Sequence, residues 1–304
     1  MSAAEMTRTM KRCRACEATE LAAHLQVRLS AATDLIPTTD RYGAALSDIV
    51  RCRSCGHMQL DRFPSAEELM VAYAEAESSD YVEEEEGQRA TARAALDRME
   101  PHVERGRLLD LGCWVGFLLA EARARGWKVT GVEPSTFAAT WAKEKLGLDV
   151  RQEDLMTAAL PSGDFDAVVM GDVIEHLPDP DQGLERIADL LAPEGIVYLA
   201  LPDAGSRVAR ALGSRWWSVL PTHVQYFTRG SIVVLLRRCG YRPLWIGTAP
   251  KAFTVDYYLE RLEGYSAPIA DAARGAARTV GVAQRLFAPD FRDRMAVIAR
   301  RPPA

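Results

Sequence analysis

Positive charge is in short supply in these 304 residues: 37 Lys and Arg stand against 42 Asp and Glu, a formal net charge of −5. Proteins that hold nucleic acid without sequence preference carry a basic excess, so a nucleic-acid partner is not expected here. No apolar run approaches the roughly 18 residues of a membrane-spanning helix, so no membrane association is expected. The segment from Met1 to Lys11 lacks the apolar core of a secretory signal, and the expected location is the cytoplasm. Internal repeats and low-complexity tracts are absent, as are the compositions of collagen, coiled coil and disordered chains. Histidine is scarce, with five in all.

What is present is ordinary globular material, 48% hydrophobic and 26% charged. That suffices for a sizeable core, and the length suggests about two domains. The chain divides into three stretches. Residues 1–62 hold four of the six cysteines, as Cys13-x2-Cys16 and Cys52-x2-Cys55. Residues 63–104 read as a helical linker, with helices over Ala66 to Ala76 and Gln88 to Met99. Its acidic run, nine Asp and Glu over residues 67–86 with no Lys or Arg, reads as a solvated face. From residue 105 to 304, short apolar runs alternate with amphipathic segments. Strands are expected at 108–111, 128–132, 149–151, 165–170, 196–201, 243–247 and 295–299. Helices follow the first two, over 116–125 and 135–146, and 251–288 reads as a helical insertion. Such alternation specifies an α/β fold, a doubly wound and mostly parallel seven-stranded sheet.

Cys-x2-Cys, 35 residues, then Cys-x2-Cys-Gly is the spacing of a tetrathiolate zinc site. Four sulfurs complete a tetrahedral shell, so the expected ion is structural. The remaining thiols, Cys113 and Cys239, are expected to be buried. Arg12, Arg14, Arg51 and Arg53 flank the two knuckles, so the segment could dock RNA or serve as a stabilising lid.

The chemistry concentrates after the first predicted strand. Leu108-Leu-Asp110-Leu-Gly112-Cys-Trp114-Val-Gly116 leads from strand to helix, where small residues let a ligand approach backbone N–H groups. Glu133 ends the second strand, 23 residues after Asp110, placed to accept from ribose hydroxyls. Asp154 follows the third strand, within reach of an adenine amino group. An acid, a glycine turn and two further acids, each at a strand's C-terminal end, outline an adenosine-binding crevice.

These motifs, with Val132-Glu133-Pro134, Phe165-Asp-Ala-Val-Val169, Val173-Ile-Glu-His-Leu177 and Leu190-Leu-Ala-Pro-Glu-Gly195, resemble the class I S-adenosylmethionine-dependent methyltransferases over about residues 81–247. The resemblance implies a Rossmann-like fold with S-adenosylmethionine as cofactor. Gly112 and Gly116 would hold its methionine part, Glu133 the ribose and Asp154 the adenine, with Asp110 supporting the turn and Tyr81 supplying an aromatic. One residue departs from the family pattern: Trp114 stands where a third glycine is usual, and a Trp is not expected at positive φ. It either points away from the cofactor or reshapes the pocket.

A methyl acceptor with a hydroxyl benefits from a base near neutrality. His176, past the fourth strand, and His223, in Pro221-Thr-His-Val-Gln-Tyr-Phe227, are the candidates; each could equally anchor a loop. Residues 203–228 form a loop carrying Trp216, Trp217, Tyr226 and Phe227, which could cap an apolar acceptor or pack the sheet's flank. The cysteine segment ahead of this core is similar to that of bacterial sugar C-methyltransferases and related enzymes of secondary-metabolite and polysaccharide clusters. Their long C-terminal domain has no counterpart here, so a nucleotide-sugar acceptor is not the first expectation. The sequence thus points to a small-molecule methyltransferase, O-methylation favoured over C- or N-, acting as a monomer or homodimer. The alternatives are an RNA or protein methyltransferase docking through the zinc ribbon, or a catalytically dead scaffold.

Overall fold

The computed structural model describes residues 11–30, 42–64 and 80–301, the side chains of Asp80 and Tyr81 excepted. The expected helix over Ala66 to Ala76 lies outside these residues, as does the side chain of Tyr81.

The cysteine-bearing segment folds as a small antiparallel sheet of β1 (Leu21–Leu25), β2 (Ile49–Cys52) and β3 (Met58–Leu60). After it comes α1 (Glu85–Met99), whose buried Ala95, Leu96 and Met99 pack onto the larger sheet.

That sheet opens with β4 (Arg107–Leu111), α2 (Phe117–Ala124), β5 (Lys128–Val132), α3 (Thr136–Leu146) and β6 (Val150–Arg151). The chain then crosses to β7 (Phe165–Gly171), α4 (Pro180–Leu190) and β8 (Leu191–Pro202). A two-residue strand, β9 (Gln225–Tyr226), leaves the larger sheet and pairs with β3, so the small sheet runs β1-β2-β3-β9. Finally α5 (Arg229–Arg238), β10 (Arg242–Thr248), α6 (Val255–Glu260), α7 (Glu263–Thr279) and β11 (Arg294–Arg300) complete the chain.

Seven strands form the larger sheet in the order β10-β11-β8-β7-β4-β5-β6. β6, β5, β4, β7 and β8 pair in parallel, and β11 enters antiparallel between β8 and β10. All seven strands foreseen from the apolar runs are present. The insertion over 251–288 holds the expected helices and also a short ladder, Phe253–Thr254 against Leu286–Phe287.

Side-chain alternation builds two cores, one on each face. Leu109, Leu111, Val168, Met170, Val197 and Leu199 face α4 and α5, packing on Leu184, Ile187, Leu235 and Leu236. Their neighbours Leu108, Ala167, Val169, Ile196 and Tyr198 face α1, α2 and α3. Cys13, Ala15 and Cys52 belong to the first of these cores. The cysteine segment is therefore pressed against the α4–α5 face and is not held out on a stalk. Among the described residues no helix is long and apolar enough to cross a membrane.

Candidate active site

The strand ends Asp110, Glu133 and Asp154 border one cavity of about 900 Å³, together with Gly112 and Gly116. The turn after β4 is fixed by Gly112 N–H donating to Val132 O at 2.8 Å and Gly116 N–H to Cys113 O at 2.9 Å. Gly112 and Gly116 have φ of +77° and +82°. A Cβ at Gly112 would lie 2.6 Å from Val173 Cγ2, and one at Gly116 2.5 Å from Leu148 Cδ1. Only glycine satisfies both conformation and space at these two positions.

Trp114 corrects the sequence-based expectation: it adopts φ +48°. An unfavourable backbone is tolerated where its surroundings fix it. Here Trp114 N–H donates to Glu133 Oε2 at 2.8 Å, a charge-assisted bond. The indole packs beside Val115, Phe117 and Phe137 and forms part of the cavity wall. Glu133 Oε1 also accepts from Ser135 N–H at 2.9 Å. Burial nonetheless pushes the Glu133 carboxyl up to about 7, against those two N–H groups. Asp110 is likewise pushed up to about 7, by burial first and then by the charge of Glu133. Asp154 Oδ1 takes three bonds from its own turn, Met156 N–H, Thr157 N–H and the Thr157 hydroxyl, at 3.0 to 3.2 Å. These acids and the glycine turn form a polar concavity suited to a nucleoside with a short polar tail.

The rest of the cavity lining is built differently. His176 ends the 3₁₀ turn Ile174–His176 after β7, and its Nδ1 lies 2.9 Å from Thr222 O. His223 Nδ1 lies 2.9 Å from Ser218 O. A carbonyl only accepts, so the His223 ring carries its proton on Nδ1 and keeps Nε2 as its basic nitrogen, whereas His176 faces the Asp172 carbonyl as well as that of Thr222. The rings meet edge to face with centroids 4.6 Å apart, and both border the cavity. Burial pushes His176 down to about 4 and lowers His223 as well, the nearby His176 adding to the effect. Both imidazoles are therefore neutral at physiological pH.

Beside them sits an ion cluster that the motifs did not announce. Asp172, at φ +57°, pairs with Lys251 Nζ at 2.6 Å and with Arg294. Those two cations hold Asp172 below the usual carboxylate range against its burial. Glu175 is buried, neither carboxylate oxygen has a hydrogen-bond partner, and burial together with Asp172 pushes it up to about 8. Glu175, His176 and His223 offer ligand atoms within 4.8 Å of one another. Lys251 and Arg294 oppose a further cation there; they favour an anion.

The cap loop splits its aromatics. Trp217 borders the cavity, its Nε1 donating to Asp293 at 2.8 Å, whereas Trp216, Tyr226 and Phe227 are buried in the packing. The insertion completes the wall with Tyr257, Tyr258 and Phe253, the last stacked on Tyr257 at 4.2 Å. These insertion residues, with Asp172, Lys251 and Arg294, are what the motifs left out. Their only sequence signal is an aromatic-rich stretch after the sixth strand of the larger sheet.

The four N-terminal thiols form a separate cluster. Cys13 and Cys55 sulfurs are 3.5 Å apart, and those of Cys16 and Cys52 3.6 Å. A tetrahedral ion with metal–sulfur bonds of about 2.3 Å needs sulfurs about 3.8 Å apart. Hydrogen bonding among the thiols pulls Cys55 down to about 5 and drives Cys13 up, as expected of sulfurs sharing protons that a cation would displace. All six cysteines are free of disulfides.

Comparison with known proteins bears on this geometry. Residues 84–244, more than half of the chain, match the family described as a methyltransferase domain. The ubiquinone biosynthesis O-methyltransferase of Caulobacter sp. (strain K31) is 41% identical over 102 residues, 31% of this chain and 40% of that protein. Its counterpart from Dinoroseobacter shibae is 30% identical over 167 residues, 50% of this chain and 67% of the relative. The chain thus spans about two-fifths of the length of the first of these relatives. Among solved structures, a methyltransferase from Haloferax volcanii in complex with its methyltransferase activator superposes with a TM-score of 0.55 at 16% identity, covering 74% of this chain and 94% of that one. A SAM-dependent methyltransferase from Archaeoglobus fulgidus gives 0.50 at 20% identity, covering 73% and 100%. At such identities the structural likeness establishes the fold.

Proposed function

Because the chain belongs to the S-adenosylmethionine-dependent methyltransferases through its methyltransferase domain, we propose that it methylates a hydroxyl oxygen of a small, largely apolar acceptor. One observation carries this reading: two neutral imidazoles border the same cavity as the glycine turn with its acids and the aromatic side chains of the insertion.

The residues present fit the cofactor. Glu133 spends one lone pair of each oxygen on Trp114 and Ser135 N–H and keeps the others for a ribose diol. Asp154 commits Oδ1 to its own turn and offers Oδ2 to an amino group. Gly112 and Gly116 admit the methionine part, and Asp110 backs the turn. When bound, S-adenosylmethionine supplies an electrophilic methyl on a sulfonium, so the protein adds placement and removal of the acceptor's proton.

His223, through Nε2, or His176 beside it accepts that proton as the acceptor oxygen attacks. Lys251 and Arg294 both pair with Asp172, and the Glu175 carboxyl is largely protonated at pH 7. Lys251 and Arg294 border the cavity, where a cation favours the acceptor's oxyanion and lowers its pKa. Trp217, Tyr257 and Tyr258 suit a flat or apolar acceptor body. Curated relatives named O-methyltransferases support transfer to oxygen.

We assign the tetrathiolate cluster a structural zinc ion, held by Cys13, Cys16, Cys52 and Cys55. Burial of Cys13 and Cys52 in the main core supports a structural role over a docking one. A cytoplasmic location accords with six unpaired thiols.

The test is calorimetric titration of S-adenosylhomocysteine into zinc-quantified protein, followed by transfer of labelled methyl from S-adenosylmethionine to a panel of phenols, carboxylates and sugars. Micromolar binding and labelling of phenols is the expected result. Absent binding would leave the scaffold reading standing. Labelling of sugars alone would overturn the apolar acceptor.

A further inference from the structure

The thiol cluster and the acceptor-side histidines lie far apart in sequence, yet one buried side chain joins them. Gln225 is 1% exposed and opens β9, the strand that extends the small sheet, opposite Gln59. Its Nε2 faces two carbonyls, Leu177 O at 3.1 Å and Pro178 O at 3.2 Å, the residues directly after His176. Both contacts require a donor, so the amide N–H₂ points to this turn and Oε1 points away from it. Oε1 then accepts from His57 Nε2 at 2.9 Å. His57 is fully buried two residues beyond Cys55, with its ring 4.6 Å from that of Phe227.

Backbone bonds run alongside. Val224 N–H donates to Glu175 O at 3.0 Å, and Leu60 N–H to Val224 O at 3.1 Å. On the cysteine side, Cys52 N–H donates to His57 O at 2.8 Å. Gln59 ties the first knuckle to β3, accepting from Arg14 N–H at 2.9 Å and donating to Arg12 O at 3.1 Å. β9, which follows His223 by two residues, is thus clamped between the cysteine hairpin on one side and the turn carrying His176 on the other.

We propose that Gln225 is a positioning residue through which the tetrathiolate metal site holds both acceptor-side histidines in place. The metal fixes the two knuckles; β2, β3 and His57 follow; Gln225 passes that order to Leu177 and Pro178, and β9 passes it to His223. The cofactor turn at Gly112–Gly116 is held by bonds of its own, Gly112 N–H to Val132 O and Gly116 N–H to Cys113 O. Metal loss would therefore disorder the acceptor half of the cavity and spare the nucleotide half. The proposal builds on the reading of His176 and His223 as acceptor-side groups, but its test does not require an acceptor.

The experiment is hydrogen exchange by mass spectrometry on the full chain, zinc-loaded and chelator-stripped, with S-adenosylhomocysteine affinity measured on both. Stripping should cut protection at least tenfold at residues 174–178 and 219–227 as well as at 49–60. Residues 107–111 and 165–171 should keep theirs, and affinity should stay within threefold. Gln225→Leu, near in volume and unable to form these bonds, should reproduce the loss at 174–178 with zinc still bound stoichiometrically. The imidazole nitrogen NMR signals of His176 and His223 should broaden in the same variant. Unchanged exchange at 174–178 in zinc-loaded Gln225→Leu overturns the proposal, including the case in which stripping unfolds the whole chain. Failure of zinc-loaded wild type to bind S-adenosylhomocysteine would count against the cofactor reading alone, because the exchange pattern decides the coupling either way.

Discussion

The two walls of the cavity differ in how the chain supplies them. The wall proposed for the nucleotide comes from consecutive strand ends, Asp110 to Asp154, within one stretch of βαβ units, and the wall proposed for the acceptor does not. The acceptor wall draws on four separated places: the turn after β7, the cap loop, the insertion and the approach to β11. A wall made of contiguous strand ends inherits its shape from the sheet, so its residues recur at fixed offsets. A wall collected from loops is free to change with the acceptor. On the proposed reading, cofactor and acceptor recognition should be separable by mutation.

The sharpest separation is expected from the double change His176→Ala with His223→Ala. Turnover should fall on the order of 10²- to 10⁴-fold, the usual worth of a general base. S-adenosylhomocysteine affinity, measured by calorimetry, should move less than threefold. Should turnover survive, the base lies elsewhere and the histidines are loop anchors.

Glu133→Ala attacks the other wall. It removes a carboxylate acceptor for the ribose and for Trp114 N–H, and should weaken S-adenosylhomocysteine by about 100-fold, on the order of 3 kcal/mol. Retained affinity would place the ribose away from β5.

A pH series separates the walls without mutation. Glu133 is pushed up to about 7 in the free protein, and a ribose diol donates to its ionised form. Binding should thus release a proton, be fully developed above pH 7, and weaken toward tenfold per unit as pH falls below 7. Calorimetry in buffers of different ionisation enthalpy reads the proton directly. His176, at about 4, stays neutral across pH 6 to 8 and contributes no slope there. An affinity flat from pH 6 to 8 would exclude Glu133 as the linked group.

The smallest effect is expected of Trp114→Gly. The change relieves φ +48°, worth about 1 kcal/mol, and removes one wall of the cavity. Stability from denaturant unfolding should shift by no more than about 1 kcal/mol, with affinity changed severalfold at most. A loss as large as that of Glu133→Ala would make the indole itself part of the nucleotide site.

The same contrast explains what could be read in advance. The seven strands were legible because parallel strands buried on both faces appear as short continuous apolar runs. The gathering of Asp110, Gly112, Gly116, Glu133 and Asp154 at one cavity was legible because they sit at strand ends that the pattern itself locates. Trp114 at positive φ was not, since the bond from Glu133 that fixes it spans 19 residues. Nor were the Asp172–Lys251–Arg294 cluster and β9. The first joins three loops across 122 residues, and the second is two residues long and owes its existence to the edge of β3. Propensity and periodicity carry no information about such pairings.

That borrowed strand also sets an order of assembly. The four thiols leave the ribosome within the first 55 residues, but the strand that completes their sheet lies beyond residue 224. At roughly 5–20 residues per second, the hairpin waits on the order of ten to thirty seconds for its neighbour. Through that interval its sulfurs are open to oxidation or to the wrong metal. Quality of metal loading should therefore depend on how fast the C-terminal half arrives, and heterologous expression in zinc-poor or oxidising medium should yield mis-paired thiols at this hairpin before any other defect.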